Sequence, residues 1–292
     1  MNLLDRHAIV DDARLAYRYT LGDSGETVVL LHGTPSHSFI WRNVIPELEA
    51  QGHSVLAFDL LGYGESERPV DRDTSVTAQT RLLDLLLEYL GIRRCTLVGH
   101  DIGGAVAQIF ATQHQQRVAR MMLIDTVSYD SWPSATWQQI IRERLDDYAT
   151  MPQQEFEDIL TRQLRMTVSN PDRMSGPVLD AYLAPYRTAL GRMSFFEHQV
   201  RHYDSAPTQR VAPLLGSLSM PVRILWGEHD RWQPLEYGER LHGDVPAATL
   251  AIVTGAGHFL MEDAPEPVIE EIDHLLATST EDHLRSSAAQ YS

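Results

Sequence analysis

One cysteine, Cys95, stands in 292 residues, so no intrachain disulfide can form. It lies inside the apolar run "CTLVG", where a buried strand thiol is the reading to prefer, because no neighbour would lower its pKa. Positive charge is short as well: 24 Lys and Arg face 40 Asp and Glu, giving a formal charge of −16 and a pI near 5.1. That balance argues against nucleic acid or an anionic membrane as partner, since both need clustered cations. The opening "MNLLDRHAIVDD" lacks a basic segment followed by an apolar one, and the greasiest stretch, "RLLDLLLEYL", is short and charged. There is no internal repeat and no low-complexity tract. A cytoplasmic globular protein acting on a small molecule is the default expectation, with homodimerisation left open.

What is present is 43% hydrophobic residues, enough to bury the core of one large α/β domain or two smaller ones. "ARLAYRYT" (13–20) alternates and predicts an edge hairpin strand. "TVVLLHG" (27–33) is a continuous β-branched and leucine run of the kind buried on both faces, and similar runs recur as "SVLAFDL" (54–60), "CTLVGH" (95–100), "RMMLID" (120–125), "VRILWG" (222–227) and "TLAIV" (249–253). Helical patterns separate several of them, which predicts a doubly wound, mostly parallel sheet. The pattern breaks from 126 to 219, where helix-favouring stretches rich in Trp, Tyr, Met and Pro predict a helical cap between core segments 1–125 and 220–277. The polar tail, 278–292, predicts disorder.

In open α/β sheets, sites form beyond the carboxyl ends of the strands, and four such ends carry pointed chemistry. "LLHGTP" follows one strand with a glycine that lets backbone amides turn toward a common point, where an oxyanion could sit. "GHDIGG" fits glycine–x–nucleophile–x–glycine with Asp101 at the tip of a sharp strand-to-helix turn, where the helix dipole favours negative charge. Asp230 follows "VRILWG" and His258 follows "TLAIV"; a histidine needs an acceptor on its second nitrogen to act as a base, and Asp230 is well placed in chain order to be it. Asp125, after "RMMLID", is a second candidate acid and the less favoured one. His32 and His100 read as packing or hydrogen-bonding supports.

Taken together, "HGTP", "DLLGYGES", "GHDIGG", "WGEHD" and "GAGHF" fall in the order seen in the α/β-hydrolase fold, and from about residue 8 to 277 the chain resembles its aspartate-nucleophile branch. That branch holds epoxide hydrolases, haloalkane dehalogenases and fluoroacetate dehalogenases. The resemblance implies Asp101 as nucleophile, Asp230 as acid partner, His258 as base, an oxyanion hole from the amides of Thr34 and Ile102, and no cofactor or metal.

An aspartate, ionised at neutral pH, needs no base to attack, and suits strained or good leaving groups on saturated carbon; attack on an ester carbonyl would give a high-energy anhydride. The grips that the resemblance implies for a halide are missing, since Ile102 replaces a Trp or Arg, Thr34 an Asn or Glu, and Ala105 an Arg. Epoxide hydrolases, which share H-G-x-P, use cap tyrosines to protonate the alkoxide. Among Tyr129, Tyr148, Tyr182, Tyr186 and Tyr203, Tyr148 and Tyr203 lie nearest, by their spacing from Asp101, to where the resemblance implies the two cap tyrosines fall, with Trp132 as a lesser candidate halide ligand. The lead expectation is epoxide hydrolysis to a vicinal diol. A haloalkane dehalogenase and a β-lactone or ester hydrolase are the alternatives, and a non-catalytic binding protein is the rival from another class.

Overall fold

Strands without a polar face must be covered on both sides, and the central strands of this chain are. The computed structural model describes residues 3–23, 25–246 and 248–278. Eight strands form one sheet: β1 (Arg6–Val10), β2 (Ala13–Thr20), β3 (Thr27–Leu31), β4 (Ser54–Phe58), β5 (Cys95–His100), β6 (Val118–Ile124), β7 (Val222–Gly227) and β8 (Thr249–Val253). Their order is β1-β2-β4-β3-β5-β6-β7-β8, with β2 antiparallel to both β1 and β4 and every later pairing parallel. Every residue of β3, β4 and β5 is buried. The expected edge strand, β2, is an inner one: β1 outflanks it, and its alternating exposure (Ala8 and Val10 in, Arg6, His7 and Ile9 out) suits the rim.

Helices Val76–Tyr89, Ile102–Gln113, Leu235–Asp244 and Pro265–Ala277 cover the sheet faces. The first begins at Ser75, whose hydroxyl accepts from the Ala78 amide, and buries Leu82, Leu83, Leu86 and Leu87 at helical spacing. Ile102–Gln113 is buried along nearly its whole length, because small residues let it sit close to the sheet: a Cβ on Gly103 would lie 2.4 Å from the Leu31 carbonyl oxygen.

Between β6 and β7 the chain leaves the sheet and forms an inserted helical region, whose helical segments run from Ala135 to Ser217. Phe156, Tyr186, Phe195 and Phe196 interlock at its centre, with ring centroids 5.1–6.4 Å apart. The tail expected to be disordered lies, from residue 279 on, outside the described residues. Among the described residues no helix is long and apolar enough to cross a membrane. Cys95 is buried in β5, and burial pushes its thiol up to about 12, so it is unreactive at neutral pH.

Replacing Gly103 with Ala should lower the unfolding free energy by about 1–3 kcal/mol through overpacking against strand backbone. Gly243→Ala, where an added Cβ meets nothing within 4 Å, should be neutral or slightly stabilising. Urea unfolding of both variants checks the pair, and equal losses would refute the close-approach argument.

Candidate active site

Each functional side chain leaves the sheet at the carboxyl end of a strand. Asp101 sits between β5 and helix Ile102–Gln113 with φ 52° and ψ −121°, a conformation that side chains rarely accept. Its flanks explain how the turn tolerates it. A Cβ on Gly99 would lie 2.6 Å from the Gly103 carbonyl oxygen, and the Asp101 carbonyl accepts from the amides of Gly104 and Val127 and from the Thr126 hydroxyl. The turn is over-determined, and the Asp101 side chain is held up toward the cap, 3% exposed.

The two oxygens of that carboxylate have different surroundings. Oδ1 accepts from the Thr34 amide at 2.7 Å, while Oδ2 lies 3.6 Å from His258 Nε2, an ion-pair distance rather than a hydrogen bond. The Ile102 amide, expected to share the oxyanion hole, makes no hydrogen bond to Asp101 among the described residues. His258 Nδ1 lies 2.8 Å from Asp230 Oδ2, and Asp230 Oδ1 accepts from the amides of Trp232 and Gln233 at 2.7 and 2.9 Å. A buried histidine between two carboxylates therefore occupies the head of the sheet.

Electrostatics follows from that arrangement. Burial alone would discharge His258, but the charges of Asp230 and Asp101 overcome it and hold the imidazole well above its ordinary range. Burial would likewise raise Asp101; the His258 imidazolium and the Thr34 amide outweigh it and keep the carboxyl below the usual range. Asp125 goes the other way: burial, then the charge of Asp230, push it well above a normal carboxyl, so it is neutral. Its Oδ1 accepts from the Gly227 amide at 2.8 Å. Of the two candidate acids, Asp230 is therefore the one that grips His258, and Asp125 stands behind it.

His100 and His32 are both neutral. Burial and the neighbouring His258 push His100 down to about 3, and burial takes His32 to about 4. His100 Nε2 lies 3.0 Å from the His258 carbonyl; His32 bridges the Gly33 carbonyl and the Leu60 amide. His100, Asp125 and His258 bring ligand-type atoms within 4.8 Å of one another, but the grip of Asp230 and Asp101 on His258 accounts for that cluster without an ion.

Above Asp101 opens a cavity of about 310 Å³, the lower end of ordinary ligand pockets. Thr34, Ile102 and Val127 form its floor, while Trp132, Trp137, Gln163, Met166 and Tyr203 come from the inserted region and its approach, and Arg231, Trp232 and Gln233 come from the loop after β7. Tyr203 reaches it: its hydroxyl lies 2.6 Å from Thr34 Oγ1, and burial pushes the phenol far up, so it keeps its proton. Tyr148 does not line the cavity, since its ring packs edge-on against Phe196 beneath the Arg144 guanidinium. Tyr129 and Tyr182 are spent on Asp244 and Glu262, and Tyr186 on Gln199. Trp132 lines the wall, but its indole N–H lies 3.4 Å from Thr208 Oγ1 rather than serving the cavity. Sequence reasoning missed Trp137, Gln163, Arg231 and Trp232. The last two stand directly after Asp230, so adjacency to a motif was the available signal.

The geometry can be tested before any substrate is known. Asp230→Ala leaves an imidazolium half-compensated in the core and should cost about 3–5 kcal/mol, whereas Asp125→Asn, nearly isosteric with a neutral acid, should cost less than about 1 kcal/mol. His258 is raised in the folded state, so its stabilisation is complete below its free value near 6.5 and fades as pH climbs through the elevated one. The stability gap between the chain and His258→Gln should therefore narrow toward alkaline pH in urea titrations; a gap that widens would reverse the sign of the coupling.

Comparison with known proteins adds the following. A family profile described as alpha/beta hydrolase fold matches residues 26–265. The chain is 27% identical to an uncharacterized hydrolase, YugF, of Bacillus subtilis, over 91% of this chain and 96% of that one. It is 29% identical to a cis-3-alkyl-4-alkyloxetan-2-one decarboxylase of Shewanella oneidensis, over 88% of this chain and 83% of the other. A solved alpha/beta hydrolase fold protein from Burkholderia ambifaria superposes with a TM-score of 0.86 at 31% identity, over 93% of this chain and 98% of that one.

Proposed function

The chain belongs to the alpha/beta hydrolase fold family, and on that premise we propose that it opens epoxides to vicinal diols through a covalent ester on Asp101. The observation that carries the reading is a carboxylate at the tip of the turn, held below the usual carboxyl range, that shares a small cavity with a protonated phenol, Tyr203. A carboxylate nucleophile favours strained rings at saturated carbon, and the phenol supplies the proton that the opened ring needs.

In the first step Oδ2 of Asp101 attacks a ring carbon, the C–O bond breaks, and Tyr203 protonates the alkoxide. The proton lost from Tyr203 is restored from the His258 imidazolium, which leaves a neutral imidazole beside a neutral ester. In the second step His258 takes a proton from water as the water oxygen adds to the ester carbon, and the charge that develops on Oδ1 lies against the Thr34 amide. Collapse expels the diol oxygen, which takes the proton from His258. The carboxylic acid of Asp101 then returns its proton to the imidazole, and the sum is epoxide plus water giving diol.

A second reading is favoured by one finding, the similarity to a protein whose name states that it acts on an oxetan-2-one. A β-lactone is also a strained oxygen ring with a saturated carbon open to carboxylate attack. A halide substrate has less support, because neither Ile102 nor Thr34, the lining residues whose backbone flanks Asp101, carries a side-chain N–H, and the Trp132 indole N–H is turned to Thr208.

Intact-mass measurement on His258→Gln tests the reading. With styrene oxide, or another epoxide that the unaltered chain converts, this variant should gain the mass of one substrate and keep it, localised to Asp101, because a single alkylation can draw its proton from Tyr203 and only the hydrolytic step needs His258 as a base. Tyr203→Phe should slow that alkylation by about 10²-fold or more. The epoxide reading falls if no epoxide in a broad panel yields an adduct while an oxetan-2-one or a haloalkane does.

A further inference from the structure

The cavity wall holds one cation, a few uncommitted side-chain amides and one orphaned indole N–H. Of its lining residues only two carry a formal charge outside titration, Asp101 on the floor and Arg231 at the rim. Four other polar groups are committed, Thr34 to Tyr203, Trp132 to Thr208, Ser131 to the Ser128 amide and Ser134 to the Trp137 amide, whereas the Gln163 amide makes no hydrogen bond among the described residues and Gln233 Oε1 is buried without a donor. Arg231 makes no ion pair or hydrogen bond among the described residues, although its neighbour Asp230 is close in sequence, because Asp230 faces inward to His258. Next to Arg231, the indole nitrogen of Trp232 is buried and has no acceptor, while its ring lies stacked on His258 with centroids 5.9 Å apart and planes 12° apart. A buried N–H without a partner costs free energy unless something in the cavity accepts from it.

We propose that the substrate carries a carboxylate, held by Arg231 at the rim with the Trp232 indole N–H as a second donor, so that an apolar body spans the cavity between that anion and Asp101. This inference rests on the proposed ring-opening function for its reacting end, but not for its anionic end. An anion near Asp101 is repelled by the nucleophile, and Arg231 is the lining group that offsets this; a guanidinium also suits a carboxylate geometrically, through paired N–H donors. The intervening wall is apolar and aromatic, from Val127, Trp132, Trp137 and Met166, which fits a short hydrocarbon or aryl spacer. The class is thus an epoxide bearing a carboxylate at the far end of a small apolar group.

Binding and chemistry can be read separately. Trp132, Trp137 and Trp232 line the cavity, so intrinsic fluorescence reports occupancy by 4-ethylbenzoate and by the isosteric 4-ethylbenzamide, neither of which carries a reactive ring. The unaltered chain should bind the acid about ten-fold more tightly than the amide; Arg231→Gln should abolish that preference by weakening the acid alone, and Arg231→Lys should keep part of it. Equal affinity for acid and amide, no measurable binding of the acid, or a preference that survives Arg231→Gln would overturn the inference. In the companion measurement, His258→Gln is mixed with 4-carboxystyrene oxide and with styrene oxide. Arg231-dependent binding of the acid, with no adduct from either epoxide or from the broad epoxide panel while an oxetan-2-one or a haloalkane gives one, would sink the ring-opening function and spare the anion site. Equal adduct yields from both epoxides, together with no acid preference in binding, would sink the anion site and spare the function.

Discussion

An imidazolium buried between two carboxylates is the interaction on which the head of this sheet depends. His258 is fully buried, and a charge so placed would be untenable alone. Asp230 at 2.8 Å and Asp101 at 3.6 Å compensate it, and since two anions and one cation leave a net negative charge, backbone amides supply the rest. Thr34 donates to one carboxylate, Trp232 and Gln233 to the other. Those amides all belong to turns at strand ends. The same constraint fixes the state of Asp125: a third anion in this cluster has no cation left to meet, so the carboxyl keeps its proton.

Backbone strain at Asp101 follows from this constraint. The carboxylate must reach the Thr34 amide and the His258 ring at once, and the positive φ of the turn is what points it there. Glycines on both sides remove the side chains that would prevent the helix from closing against β3, and the carbonyl of Asp101 is tied to Gly104, Val127 and Thr126. Strain of this kind persists only where many contacts over-determine it.

Much of this was legible in the sequence because it is local. Continuous apolar runs marked the central strands, and Gly99, Asp101 and Gly103 announced a strand-to-helix turn without reference to the rest of the molecule. The preference for Asp230 over Asp125 came from chain order, whereas the physical reason, the direction in which each carboxyl leaves its strand, exists only in three dimensions. Cap residues were less readable. Tyr203 follows a π-helical turn at Phe195–Gln199 and a 3-10 turn at Val200–His202, so helical periodicity could not say which way it faces. Tyr148 satisfied the same spacing argument and points into the aromatic packing of the inserted region instead. Arg231 and Trp232 lay in plain view beside Asp230, yet only the turn that ties the Trp232 amide to Asp230 shows that both border the cavity.

On the proposed reading, the same charges that raise His258 also time its action. While Asp101 is ionised, the imidazole is a cation and cannot abstract a proton from water, so water beside the free enzyme is not activated. Alkylation of Asp101 turns one of the two compensating carboxylates into a neutral ester. The imidazolium then loses a large part of what held it above its ordinary range, while burial still disfavours its charge, and its proton becomes available to the opened ring. A neutral imidazole, oriented by Asp230, is left beside an ester whose carbonyl oxygen already rests on the Thr34 amide. The base is thus created by the step that creates its substrate. That coupling needs no conformational change, only a carboxylate that can exist as anion or ester, which a serine in the same turn could not provide.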